Sequence, residues 1–459
     1  MPTLLDTTLR EGELYRKFEP EVRVEVAKRI AETGIDRIEL TVDYPPRTTR
    51  RDVEVVVEAL RSYEVEVVIH GRAYKRDVEA AAHYDVDGIG VYIAPTEIHR
   101  KFKLGGMKLE EAKRRMEEAL ELSRSYGFKY RRATIEDSSR YYFGEEGGLE
   151  ALAKLIDDFG KAGATLVSVP DTCGALTPPQ ARDFIQKLKK LCKTPLSAHF
   201  HNDYGYASAN TLEAALAGAE ELQVSILGVG DRNGIADLYE VAAPLIDVHG
   251  FGLRIKRDRL RDLYQNFSKL TGIRIPFRHP LSREARTIRA GVHQSMVMKA
   301  PEGYLPADKL RHDFDRVFLE ATPYLSKKFV EKILKQKVDR NKLQEISSEL
   351  AKLAYEHGKN LSSRRIIECL ESMGLEVDEK ALSRLLTPQR AYILLNLDPK
   401  YPVREMIREV LGWDEVERVD EVYGDADLVI VARIEDEVIE RLRKNFGKAI
   451  LGMRTLITD

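Results

Sequence analysis

Cysteine and tryptophan are scarce in this chain, which has three cysteines and one tryptophan among 459 residues. Cys173, Cys192 and Cys369 are odd in number, and none of them belongs to a C-x-x-C pair. This pattern fits a reduced cytoplasm better than a framework of disulfide bonds. We therefore expect hydrophobic packing to hold the fold together, and the length predicts two or three structural units.

An excess of one charge is also missing, because 73 Lys and Arg residues face 75 Asp and Glu residues, a net charge of −2. No overall basic field exists to attract nucleic acid. No apolar run approaches the length of a membrane span. The first residues enter a charged motif too early for a secretory signal peptide. We expect a cytoplasmic protein with no nucleic-acid or membrane partner.

The first half of the chain alternates short apolar runs with amphipathic helical stretches, as β-α units require. Eight such units favour an α/β fold of the TIM (β/α)8 barrel type; an open, doubly wound sheet is the alternative. Chemistry in such barrels lies at the carboxyl ends of the strands, where this chain places its polar motifs. The predicted strands are 3–6, 37–41, 65–70, 88–93, 129–136, 166–171, 195–201 and 222–227.

The second half changes character. We assign residues 1–255 to the barrel and 256–387 to charged helical subdomains that complete the active site. Residues 388–459 follow the order β-α-β-β-α-β, which is typical of a ferredoxin-like unit.

The stretch SAHFHNDYGYASAN places His199 and His201 two residues apart on the seventh strand. Side chains at that spacing share one face, so both imidazoles can reach one metal ion. The other interpretation is two polar residues on a solvated edge. A catalytic metal needs a third ligand, and the loop that follows the first strand offers Arg10 and Glu11.

Five motifs, in this order along the chain, resemble those of the homocitrate synthase and isopropylmalate synthase family: LDTTLREGE, ATIEDSSR, VPDTCGALTP, AHFHNDYGYASAN and SILGVGDRNGI. The resemblance implies a metal-dependent TIM barrel that condenses acetyl-CoA with a 2-oxo acid. It also implies a homodimer or a higher homo-oligomer.

The resemblance assigns roles to matching positions. Glu11, His199 and His201 would bind a divalent ion (Mg²⁺, Mn²⁺ or Zn²⁺), and Arg10 would polarise the 2-oxo group. Thr172 would hold the C1 carboxylate. His293 would act with Glu136 as the catalytic pair, and in the family this histidine comes from the other subunit.

The substrate depends on the fifth strand, where Arg132, Thr134 and Glu136 share a face. A cation beside a hydroxyl suits a second carboxylate, and His70 could add a donor. This predicts 2-oxoglutarate and a homocitrate synthase of lysine biosynthesis. The segment GVHQSMVMK around His293 is closer to the isopropylmalate synthase pattern. Met298 stands where some homocitrate synthases have a tyrosine, and Gly90 stands where some of them have an acid. Leu14 replaces a glutamine that is common to both enzymes. The alternative is 2-isopropylmalate synthase acting on 2-oxoisovalerate, and a third interpretation is a dual-substrate enzyme.

The C-terminal unit resembles the RAM effector domain of leucine-responsive transcription regulators. Gly424, Asp425 and Asp427 match a turn that lines an amino-acid site in those proteins. The resemblance implies feedback inhibition by lysine, or by leucine for the alternative enzyme. An ordinary hairpin in a structural domain is the other interpretation.

Two further classes of function stay open at this point. The barrel could be a scaffold for an amino-acid sensor, or a metal-dependent lyase that cleaves a hydroxyacyl-CoA. Release of free CoA from acetyl-CoA with each oxo acid separates these interpretations.

Overall fold

The computed structural model describes residues 1–314, 317–358, 360–387, 390–413, 415–433 and 435–457. They form two compact units, Met1–Phe267 and Ser268–Asp459. The three predicted segments stay predictions, and residues 388 and 459, which bound the third segment, lie outside the described residues.

The first unit contains a closed barrel of eight parallel strands in which β8 pairs with β1. The predicted TIM barrel is confirmed. Its strands are β1 (Thr3–Asp6), β2 (Arg37–Thr41), β3 (Glu66–Arg72), β4 (Gly88–Ile93), β5 (Tyr130–Ile135), β6 (Leu166–Asp171), β7 (Leu196–Phe200) and β8 (Glu221–Val224).

Helices alternate with these strands, and their termini carry recognisable signals. The helix after β2 begins with a capping box between Thr49 and Asp52, which satisfies backbone donors at the helix start. The helix before β6 ends at Gly163, whose φ of 117° suits glycine. The helices are α1 (Gly12–Tyr15), α2 (Pro20–Glu32), α3 (Arg50–Leu60), α4 (Lys75–Ala81), α5 (Glu97–Phe102), α6 (Leu109–Ser125), α7 (Ser139–Tyr142), α8 (Gly148–Ala162), α9 (Pro178–Leu191), α10 (Ala207–Leu216), α11 (Leu238–Asp247) and α12 (Leu260–Thr271).

The barrel interior contains a network of buried polar side chains below the mouth. The buried Glu221 carboxylate accepts hydrogen bonds from Tyr130 Oη (2.9 Å) and Ser197 Oγ (2.7 Å). Gln223 Nε2 donates to Ser168 Oγ and Ser197 Oγ at 2.9 and 3.0 Å. Because buried polar groups need partners, this network fixes the strands against one another.

The second unit begins with a helical region. Its apolar core includes Phe329, Ile346, Leu350, Ile366 and Leu370. Two strands of two residues pair in parallel there, and they are too short to leave a periodic signal in the sequence. The elements are β9 (Thr287–Ile288), α13 (Gly291–Val297), α14 (Ala307–His312), β10 (Phe318–Leu319), α15 (Lys327–Ile333), α16 (Arg340–His357), α17 (Ser363–Ser372) and α18 (Glu379–Leu385).

The C-terminal part of this unit has the β-α-β-β-α-β order that the sequence predicts. Its four antiparallel strands lie in the order β12-β13-β11-β14, which is the arrangement of a ferredoxin-like sheet. The elements are β11 (Arg390–Leu397), α19 (Val403–Leu411), β12 (Val416–Glu421), β13 (Leu428–Arg433), α20 (Glu435–Phe446) and β14 (Ile450–Ile457). Among the described helices of both units, none is long and apolar enough to span a membrane.

Candidate active site

A cavity of about 730 Å³ opens at the carboxyl ends of the barrel strands. The residues predicted for the site within the barrel share this one cavity although they come from five different strands or the loops that follow them. They are Arg10, Glu11, His70, Arg132, Thr134, Glu136, Thr172, His199 and His201.

His199 and His201 lie at the end of β7, and alternation along the strand directs both rings inward. Their Nε2 atoms are 3.4 Å apart, and both side chains are buried. Burial lowers the pKa of both imidazoles, and this favours the neutral form that binds metals. Two nitrogens bound about 2.1 Å from one tetrahedral ion would have nearly this separation. The pair therefore fits a shared ion.

Glu11, the third expected ligand, lines the same cavity but is engaged elsewhere. Its carboxylate forms an ion pair with Arg10 and lies 3.4 Å from the backbone N of Asp231. Within the described ranges, no group of three His, Cys, Asp or Glu side chains is arranged as a complete metal site. The buried Nδ1 atoms of the two histidines also have no hydrogen-bond partner there. The histidine pair fits a metal, and the ligand role of Glu11 stays a prediction.

Glu39, which the sequence predictions missed, organises the floor of the cavity. This fully buried carboxylate on β2 accepts a hydrogen bond from Arg10 Nε at 2.7 Å and pairs with Arg132. Burial by itself would raise the pKa of Glu39, but Arg132 and Arg10 hold it well below its usual range. An acid in the middle of the buried strand RIELT was the signal available in the sequence. Glu39 fixes both guanidinium groups.

Arg132 lies beneath the cavity with 1% of its side chain exposed. Besides Glu39, it contacts Thr134 Oγ1 and Tyr130 Oη at 3.3 Å, and His70 Nδ1 at 3.1 Å. Burial lowers the pKa of His70, so its neutral ring can accept this hydrogen bond.

Gly90 explains how Arg132 fits. It is the register partner of Arg132 on β4, and a Cβ atom there would lie 2.7 Å from Arg132 Nη2. Any larger residue would displace the guanidinium, so the glycine that departs from some homocitrate synthases has a steric role here.

Thr172 and Arg232 line another part of the cavity, in the loops that follow the strands. The hydroxyl oxygen of Thr172 accepts a hydrogen bond from the backbone N–H of Asp137 at 2.8 Å, and its own proton can be donated to a ligand. Arg232 joins the loops, because its guanidinium contacts both oxygens of Asp203 at 2.9 Å and Thr172 O at 2.7 Å. Asn202 O accepts from the side chain of Asn233 at 2.6 Å.

Glu136 directly follows β5 and is held by a residue that was not expected. Lys103 Nζ lies 2.6 and 2.7 Å from its two carboxylate oxygens. His293, the predicted partner of Glu136, lies on α13 in the other unit, with its ring centroid 4.1 Å from that of Tyr304. The structure describes each unit by itself, so the pairing of His293 with Glu136 stays a prediction.

The three residues expected to bind an effector lie in the turn between β12 and β13. Gly424 has a φ of 138°, which favours glycine. Asp427 Oδ2 accepts a hydrogen bond from the backbone N of Leu397 at 2.7 Å, and Asp425 O accepts from Asn396 Nδ2 at 2.9 Å. The turn is thus tied to β11, and effector binding stays a prediction.

Comparison with known proteins gives a family match for residues 1–266, to the model described as HMGL-like. Over 480 aligned residues the chain is 29% identical to a homocitrate synthase of Sulfolobus acidocaldarius, with 99% of this chain and 96% of that protein covered.

Two other relatives are matched over less of their length. A probable 2-isopropylmalate synthase of Methanopyrus kandleri is 34% identical, with 66% of this chain and 59% of that protein covered. An (R)-citramalate synthase of Methanocaldococcus jannaschii is 31% identical, with 67% of this chain and 61% of that protein covered. The chain therefore spans about three fifths of these two relatives.

Among solved structures, the HMG-CoA lyase of Bacillus subtilis matches with a TM-score of 0.53 and 19% identity, covering 61% of this chain and 98% of that chain. At this identity the likeness concerns the fold alone.

Proposed function

The chain belongs to the HMGL-like family, and from that premise we propose that it condenses acetyl-CoA with 2-oxoglutarate to give homocitrate and CoA. The observation that carries this proposal is the composition of one cavity. It combines a convergent histidine pair, the guanidinium of Arg10 and a polar floor made by Arg132, Thr134 and His70. A polar floor suits an oxo acid whose distal end is charged.

A divalent ion held by His199, His201 and Glu11 would act as a Lewis acid on the 2-oxo group. Arg10, oriented by Glu39, donates to the oxygen on which negative charge develops as the carbon–carbon bond forms. The Thr172 hydroxyl donates to the C1 carboxylate.

Removal of a methyl proton from acetyl-CoA requires a base that works near neutral pH. His293 suits this step, with Glu136 orienting its ring. We infer that His293 comes from a second copy of the chain, as the resemblance implies, and that the enzyme is a homodimer or larger. Water then hydrolyses the thioester, so free CoA leaves and the condensation becomes irreversible.

One observation favours 2-isopropylmalate synthase as a second candidate. The guanidinium of Arg132 already contacts Glu39, Thr134, Tyr130 and His70, and it is nearly fully buried. A cation that is satisfied by the protein gains less from a substrate carboxylate. A neutral distal end, as in 2-oxoisovalerate, would then fit as well.

The discriminating experiment measures CoA release from acetyl-CoA with 2-oxoglutarate, 2-oxoisovalerate and pyruvate in turn. Wild-type protein should prefer 2-oxoglutarate. Arg132→Leu should lower kcat/KM for 2-oxoglutarate at least about a hundredfold and spare any activity with 2-oxoisovalerate. Turnover of 2-oxoisovalerate alone by the wild type would refute the homocitrate assignment.

The metal is tested separately. His201→Ala should lose bound divalent ion, as measured by elemental analysis of the purified protein. It should also lose about a thousandfold in turnover, since Lewis-acid stabilisation is worth several kcal/mol. Full turnover after exhaustive chelation would exclude the metal mechanism.

We also propose that the C-terminal sheet domain is a RAM-like regulatory domain that binds the end product, lysine, near Gly424, Asp425 and Asp427. For the second candidate the effector would be leucine. Deletion of residues 388–459 should leave turnover in place and abolish inhibition by the amino acid. If the shortened enzyme is inhibited as before, the effector site lies outside this domain.

A further inference from the structure

Lys103 forms an ion pair with Glu136 at the cavity, and the proposed function assigns no role to this contact. It follows α5 directly, and its backbone N donates to His99 O at 2.8 Å. Its ammonium group reaches across to the end of β5 and donates to both oxygens of Glu136, at 2.6 and 2.7 Å. Lys103 and Glu136 both line the cavity.

The elements that carry this pair are tied together beneath it. His99, on α5, lies with its Nδ1 3.2 Å from Asp137 Oδ2, and Thr96 Oγ1 donates to the same oxygen at 3.3 Å. Asp137 directly follows Glu136 and has a φ of 68°, a left-handed conformation that non-glycine residues seldom adopt. The helix that presents Lys103 is therefore anchored to the residue next to Glu136.

Stability does not account for this contact. The Lys103 side chain is 45% exposed and that of Glu136 is 18% exposed. Ion pairs at such exposure contribute between zero and about 1 kcal/mol. The pair does, however, fix the orientation of the Glu136 carboxylate at the mouth of the cavity, because Lys103 Nζ contacts both of its oxygens.

We propose that Lys103 is a positioning residue that holds the Glu136 carboxylate in the orientation needed to align the histidine base. Each carboxylate oxygen has two acceptor positions, so an oxygen bound to Lys103 can still accept a hydrogen bond from an imidazole N–H. This inference rests on the proposed function, in which Glu136 orients His293. Because misplacement of an orienting group slows the chemical step, Lys103 affects kcat and leaves binding of the oxo acid unchanged.

The test is a double-mutant cycle with Lys103→Met, Glu136→Gln and the double variant, assayed by CoA release. Lys103→Met should lower kcat about 10- to 100-fold, with KM for the oxo acid within about twofold of wild type. Lys103→Arg should recover part of the loss. In the Glu136→Gln background, Lys103→Met should have no further effect, because its action runs through the missing carboxylate.

Lys101→Met is the matched control, since Lys101 lies on α5 with its ammonium 5.1 Å from the Phe102 ring centroid. It should retain wild-type kcat. Equal losses from Lys103→Met in both backgrounds would overturn the inference, as would a rise in KM for acetyl-CoA at unchanged kcat. A wild-type protein that releases CoA while Lys103→Met is fully active refutes the role of Lys103 alone. A wild type that releases none with any oxo acid refutes the proposed function and the inference together.

Discussion

The barrel and the C-terminal sheet domain each pack helices against a sheet, yet their interiors differ in charge. In the barrel, Asp6, Glu39, Arg132 and Glu221 are at most 1% exposed. In the described part of the chain from residue 390 onwards, every buried side chain is apolar, as Ile430 on β13 illustrates.

The difference in buried charge indicates which of the two regions carries a catalytic site. Desolvating a charge costs several kcal/mol, and replacing a buried ion pair with apolar residues is often neutral or stabilising. At the carboxyl end of the barrel, charged side chains are buried despite this desolvation penalty, since Glu39 forms ion pairs with Arg10 and Arg132 there. Buried charge that lines a cavity therefore points to a functional site, whereas Glu221 below the mouth shows that buried charge also serves the structure.

The sheet domain places its charges at the periphery. Glu417 on β12 pairs with Arg283 and with Arg390, the latter at 2.8 Å. Its interior is organised for stability, so any ligand of this domain would bind at the surface or in the turn that contains Gly424. The two regions should respond to substitution in opposite ways.

Glu39→Gln should give the largest effect. It leaves Arg10 and Arg132 without their shared counter-charge in a buried position, which costs about 3–5 kcal/mol of stability. Because Arg10 also loses its orientation, turnover should fall at least about a hundredfold. Urea unfolding and CoA release measure the two quantities.

The matched control is Glu66→Gln on the adjacent strand, where the glutamate pairs with Arg37 at 2.5 Å and is 46% exposed. It should change stability by less than about 1 kcal/mol. If Glu39→Gln retained full turnover, the buried charges at the barrel mouth would be structural. The difference in buried charge between the two regions would then not indicate a catalytic site.

Ile430→Ala tests the other side of the contrast. Ile430 is fully buried in the sheet domain, so its truncation should destabilise that domain by about 2–5 kcal/mol through lost burial and a cavity. Turnover at 25 °C should be unchanged. Leu451→Ala, at a residue that is 69% exposed, should be nearly neutral in urea unfolding. A loss of turnover at unchanged stability would show that the apolar core serves the active site.

Many of the strands could be predicted from the sequence, because short apolar runs recur at regular intervals along the chain. Residues 3–6, 37–41, 88–93 and 166–171 match the observed strands at both ends. Parallel strands with apolar residues on both faces produce a strong signal of this kind.

The site was predictable only in part. His199 and His201 converge because alternation along one strand is a local property. The contacts of Glu39 and Lys103 join residues that are 93 and 33 positions from their partners Arg132 and Glu136. No local pattern encodes such pairing, and Lys103 stands in the charged run HRKFK, which gave no sign of its partner.

Substitution of Asp6 should give a smaller change in stability than Glu39→Gln or Ile430→Ala. Its pH dependence measures directly what burial of a carboxylate costs. It is fully buried at the end of β1 and accepts hydrogen bonds from Thr8 N at 2.9 Å and Thr8 Oγ1 at 3.1 Å. Burial, with a smaller contribution from Glu39, raises the pKa of Asp6 from 3.8 to about 7. The folded protein therefore holds a proton at pH values at which the unfolded chain has released it.

The sign of the pH dependence follows from this difference. Stability contributed by protonated Asp6 is complete below the unfolded pKa of 3.8 and is lost as pH rises through about 7. Between about pH 5 and pH 8 the metal-free protein should lose on the order of 2–3 kcal/mol from this group. Asp6→Asn, which cannot titrate, should remove that part of the slope, so that wild type and variant diverge as pH rises in urea unfolding with chelator present. If the free energies of unfolding of the two proteins changed in parallel with pH, the barrel would stabilise the ionised form of Asp6. The free-energy cost of burying this charge would then be smaller than the contrast with the sheet domain implies.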